Sequence, residues 1–154
     1  NSSISIFNSI IMGWPQAVLI DATTGTATDK NIDDSTLRIR NTTLAGNTIN
    51  VKYAASTGAP TGATDASILA WFTNPYFGND ILTNSSEVKL IQPFNYAAPD
   101  PTPFGGSAGN QLILNGAKFS DAKLTGTFFK PVTFRGAIAP AGDDQTWWKG
   151  WTKF

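Results

Sequence analysis

The sequence predicts an all-β domain, a parallel β-helix closed by an irregular, aromatic-rich segment. Three observations carry this. Two stretches match one another at a fixed offset, with apolar residues on alternate positions. Only 14% of the residues are charged, and Thr, Asn, Ser and Gly carry the polar load. The chain also gathers aromatics near its end, with Phe128, Phe129, Phe134, Trp147, Trp148, Trp151 and Phe154 in the last 27 residues.

The repeat comes first along the chain. Residues 4–13, ISIFNSIIMG, align without a gap on residues 37–46, LRIRNTTLAG, at an offset of 33. Ile4 meets Leu37, Ile6 meets Ile39, Asn8 meets Asn41, Ile11 meets Leu44 and Gly13 meets Gly46. The alternation runs up to the Asn and changes phase after it, which describes a strand, a corner and a second strand ended by Gly. A third strand follows each, at 17–21 and 48–53. Residues 1–54 then read as two coils and 55–154 as the segment that caps them, because stacked repeats need about three or more units plus caps to bury a core. Two hairpins of a β-sandwich are the alternative. A strand so close to the first residue, with one Met in the chain and none at its start, implies that a segment precedes Asn1.

The remaining elements follow in order. Residues 55–64 read as a loop. Residues 65–77 read as a short helix capped by Asp65 and ended before Pro75, with Ile68, Leu69, Trp71 and Phe72 on one side. Prolines 93, 99, 101 and 103 preclude regular central strands over 88–109. The terminal aromatics read mainly as a lid, with Trp148, Trp151 and Phe134 inside and Trp147 outside.

Composition narrows the function classes. Lys+Arg and Asp+Glu balance at 11 each, so no basic field draws nucleic acid. The absence of Cys excludes disulfides, thiol nucleophiles and thiolate zinc sites, and the absence of His excludes His-based triads and ligand sets. No apolar run approaches the roughly 18 residues of a membrane helix, so membrane insertion is not expected. Gly105–Gln111 lacks the Lys-Ser/Thr of a phosphate loop.

Asp29, Asp33 and Asp34 share one polar insertion and are the candidate calcium ligands, although the spacing is not that of an EF-hand. A solvated turn is the competing reading for them, and for Asp143 and Asp144. Trp147 is the candidate for stacking on a glycan. Arg135, between Phe134 and Gly136, reads either as a ligand anchor or as a tie between the end of the chain and its body, through a Trp face or through Asp143 or Asp144. No acids fall in register on the aligned repeats, so nothing marks a catalytic pair. Three classes stand: a structural or adhesive module, a carbohydrate-binding module, and the non-catalytic end of a polysaccharide-active enzyme. The open end of the first repeat is expected to meet upstream residues of a longer chain or another protein chain.

The chain also resembles a known group. It carries Asn-Ser-Ile-Ile-Met-Gly at 8–13, a proline-rich segment ending in Gly-Ser-Ala over 93–108, and Phe-Phe at 128–129. Val-Thr-Phe-Arg-Gly-Ala follows at 132–137 and Trp-Lys-Gly-Trp-Thr-Lys-Phe at 148–154. In these it is similar to the C-terminal region of secreted, surface-associated Bacteroidetes proteins of hypothetical or lipoprotein type. It departs from them at Ile138, Ala108 and the additional Trp147. The resemblance implies a right-handed β-helix, export linked to type IX secretion and a place on the outer cell surface. It implies no activity.

Overall fold

The computed structural model describes residues 2–24, 28–55, 61–150 and 152. The first half of the chain forms β1 (Ser5–Phe7), β2 (Ile10–Met12), β3 (Gln16–Asp21), a single turn α1 (Lys30–Asp33), β4 (Arg38–Arg40), β5 (Thr43–Ala45) and β6 (Ile49–Ala54). It continues through α2 (Asp65–Phe72), β7 (Asp80–Leu82), β8 (Leu90–Gln92), β9 (Asp100–Pro103) and α3 (Gln111–Asn115).

The parallel β-helix expected from the repeat, right-handed by the resemblance, is not the architecture. The described strands instead make four small sheets of mixed kind: β1-β4, β2-β5-β7 and β3-β6 are parallel, and β8-β9 is antiparallel. The repeat is read in local register, with Ile6 beside Ile39, Ile11 beside Leu44 and Ile20 beside Tyr53. It does not propagate. A third strand, β7, joins only the middle sheet, pairing Thr43 with Asp80. Beyond β6 the chain turns helical, and the helix rather than another strand supplies apolar cover.

Local chemistry explains the break. Thr64 and Ser67 form a reciprocal capping box that starts α2. Thr64, not Asp65, is therefore the cap. Asp65 sits in the first turn, where its carboxylate accepts the Tyr53 N–H at 2.7 Å and the Lys52 ammonium at 2.6 Å. Pro75 follows as the helix ends and opens a 3-10 turn over Pro75–Phe77. Ile68 and Phe72 enter one buried cluster with Val18, Ile20, Leu37, Ile39, Leu44, Val51 and Tyr53. Farther on, the prolines confine β9 to an edge strand.

The corners follow from residue type. Asn8 and Asn41 adopt φ of 52° and 51°, a left-handed conformation that Asn tolerates better than most residues, and each turns one strand into the next. The middle sheet is covered on both faces. Ile11, Leu44 and Ile81 face the first cluster, while Ile10, Met12, Ala45 and Leu82 pack with Val88 and Ile113 in a second. After α3 the described chain runs irregularly and is tied down by discrete bonds. The N–H of Ala117 donates to Thr133, that of Arg135 to Ile113 and that of Gly136 to Asn8, at 2.9, 2.7 and 2.7 Å.

Candidate functional site: a free strand edge beside an aromatic groove

Backbone bonds define which way each strand faces. The Arg38 N–H donates to Ile4, and the Asn8 N–H donates to Arg40. In a parallel ladder alternate residues point to opposite sides, so Ile4, Ile6 and Asn8 face β4 while Ser5 and Phe7 present their N–H and C=O outward, the Phe7 carbonyl accepting the Ser9 hydroxyl at 2.8 Å. By the same logic Ile10 and Met12 point outward from β2, because Ser9 and Gly13 bond to Thr43 and Ala45. Among the described residues no strand pairs with this outer side of β1, β2 or β3.

The second row, β4 to β6, is finished differently. Asn79 donates from its amide to the carbonyls of Ile39 and Phe72, both at 2.9 Å, and accepts the Thr42 N–H at 3.0 Å. Asp65 accepts the outward N–H of Tyr53. Side chains and α2 thus satisfy the far side of that row, and β7 covers β5.

Two concave surfaces flank the free edge. On the core side, Ile4, Ile6, Ile11, Ala17, Leu19 and Leu37 help to line an apolar mouth of about 250 Å³. On the outer side a groove of about 670 Å³ runs between β1 and the C-terminal segment, walled by Phe7, Phe119, Phe129 and Phe134. Ile4 is 59% exposed and Leu19 46% exposed on this row. Loop residues brace it from outside. Asn8 exchanges two bonds with the backbone of Lys118, at 3.0 and 2.9 Å, and the Lys123 ammonium reaches the Ser5 hydroxyl at 2.7 Å.

Arg135 fixes the groove wall. It is 4% exposed, and its guanidinium donates to Thr43 at 2.8 Å, to the carbonyls of Gly78 and Gly116 at 2.8 and 3.2 Å, and to the carboxylate of Asp80. A Cβ on Gly116 would collide with this guanidinium, so the close approach requires Gly there. The tie to the body is made, but through Asp80 and not through Asp143 or Asp144.

The other sequence candidates are dispersed. Asp29 is buried and accepts from the Tyr53 hydroxyl at 2.8 Å, from the Thr61 hydroxyl and from the Lys30 N–H. Burial pushes its carboxyl upward, yet the bonds from Thr61, Tyr53 and the backbone outweigh it and hold the pKa below its ordinary value. Asp33 and Asp34 lie exposed on the surface. Among the described residues no group of three or more His, Cys, Asp or Glu is placed to hold a metal ion. Trp147 is 47% exposed and donates its indole N–H to Ala137 at 2.7 Å, whereas Trp148 is buried. Phe134 is half-buried, Phe128 is exposed, and Trp151 and Phe154 lie outside the described residues. No described helix is long and apolar enough to cross a membrane.

Sequence reasoning missed Asn47 and Asn79. Each follows a left-handed Gly and clasps a preceding strand–corner–strand segment: Asn47 takes the Trp14 N–H and donates to Ile11 as Asn79 does with Thr42 and Ile39. The recurring Gly-Asn pair at 46–47 and 78–79 was the available signal. Comparison of the chain with protein-family models, with curated proteins and with solved structures finds no match.

Proposed function

We propose that this chain is a non-catalytic structural and adhesive module of an exported bacterial surface protein, and that the free edge of β1, β2 and β3 takes up a further extended polypeptide. The observation that carries the reading is the contrast between the two rows. The second row has its far side satisfied by Asn79, Asp65 and β7, while the first offers outward backbone groups beside an apolar mouth. Such an edge is a template for strand addition. The low charge, with Thr, Asn, Ser and Gly carrying the polar load, and the likeness to Bacteroidetes surface proteins support export.

A synthetic peptide of residues 2–22 tests the reading, since that segment already pairs in parallel with a related row. Titrated into the protein and followed by amide hydrogen exchange, it is expected to protect Ser5, Phe7, Ile10 and Met12. No binding, or amides at those positions already as slow as those of β5 in the free monomer, overturns the proposal.

A further inference from the structure

We infer that the partner of this edge is a second copy of the same chain, its own β1–β3 edge turned about a twofold axis. The inference rests on the docking reading above and names the occupant. Charge is the first argument. Residues 1–20 contain no charged side chain, whereas the covered row carries Arg38, Arg40 and Lys52. A charged partner segment would leave its charges desolvated and unpaired on this edge, at a cost that a neutral one avoids. The charges that border the edge, the Lys123 ammonium at Ser5 and the Asp21 carboxylate at the end of β3, are of opposite sign.

Backbone geometry is the second argument. Ser5 and Phe7 both point outward and are separated by one residue, so an antiparallel β1 on β1 pairing about Ile6 matches Ser5 of one copy with Phe7 of the other. The surface is self-complementary, as a twofold interface requires. Shape is the third. Ile4 stands exposed at the rim of the apolar mouth, and on the facing copy it meets an identical mouth that can receive it.

The same geometry limits the assembly. The far side of the second row is capped by Asn79, Asp65, β7 and α2. Pairing of this edge with its own copy about a twofold axis closes at two copies and adds none along the row.

Sedimentation velocity from low to high micromolar protein tests this, with Ile4→Lys to place two cations in the contact and Tyr76→Lys as a control at an exposed residue remote from it. The expected result is a monomer–dimer equilibrium in the wild-type chain and in Tyr76→Lys, and a monomer with unchanged circular dichroism in Ile4→Lys. Should Ile4→Lys unfold, Leu19→Lys replaces it, because that side chain is already exposed. A wild-type chain that stays monomeric while the 2–22 peptide binds overturns the second copy and leaves strand docking standing. A monomer that also ignores the peptide overturns both. A ladder of larger species, or a dimer untouched by both lysine variants, overturns the twofold edge pairing.

Discussion

Two rows of related sequence lie side by side in this molecule and have opposite surroundings. The row β4–β6 has a parallel neighbour on one side and capping side chains on the other, and Thr42, Thr43 and Leu44 are fully buried there. The row β1–β3 has the parallel neighbour alone, and its outer side opens on an apolar mouth and a groove. The equivalent inward residues, Ile6 and Ile39, therefore differ in burial although their side chains are identical. Position in the stack, not the strand's own sequence, decides how much each residue contributes. Charge follows the same division: cations occur on the covered row, where Arg38 finds Asp121 at 2.8 Å and Arg40 lies over the Phe77 ring, and none occurs on β1–β3.

The comparison breaks most sharply at Arg135, which holds the covered row to the C-terminal segment. Arg135→Ala leaves Asp80 without its guanidinium and is expected to cost about 3–5 kcal/mol, read as a fall in melting temperature. Arg135→Lys, which keeps the charge and loses the fork, should fall between it and the wild type. Next come the paired isoleucines. Ile39→Ala is expected to cost about 2–5 kcal/mol in chemical denaturation, as buried truncations do. Ile6→Ala should cost clearly less, and equal losses would deny that the rows differ.

The repeat glycines give a finer test. Both have positive φ, so Ala at either is strained by about 1–2 kcal/mol. A Cβ at Gly13 meets only the end of the Phe94 ring, at 2.7 Å, which can swing away. At Gly46 it meets the Ser85 backbone N at 2.5 Å, raising the expected loss to about 2–5 kcal/mol. The smallest effect is in pH. Because the Asp29 carboxyl is held below its unfolded value, it contributes stability above the unfolded pKa of about 3.9, and that contribution is lost as pH falls through the folded value. Melting curves from neutral to acid pH should show a shallower acid loss in Asp29→Asn, without abolishing it, since Asp21 and Asp65 are held low as well.

Part of this was legible in the sequence. The offset of 33 placed Ile6 beside Ile39 and Ile11 beside Leu44, because strand pairing follows apolar alternation and a shared Asn corner. Extension of that pairing into a coiled β-helix was not, since periodicity over two repeats says nothing about what lies on the third. A Thr64–Ser67 capping box put a helix there, and its pairing is a local signal weaker to the eye than Asp65 beside it. The unpaired outer side of β1 to β3 was legible as the open end of the first repeat. The groove walled by Phe119, Phe129 and Phe134 was not, because irregular backbone has no periodicity to read. Arg135 was singled out but matched to the wrong carboxylate. Asp143 and Asp144 are near it in sequence, whereas Asp80 is brought to it by the pairing of β5 with β7, a long-range event.

That long range has a consequence in time. The Arg135 bond to Thr43 spans 92 residues, and the bond of Gly136 to Asn8 joins the wall of the groove to the first corner. On a ribosome adding roughly 5–20 residues per second, Thr43 waits about 5–18 s for the arginine that locks it. Throughout that interval the rows have been made but the segment that braces them has not, so the nascent chain carries an unbraced middle sheet. Misassociation through that sheet is therefore favoured during synthesis, until Arg135 and Gly136 arrive.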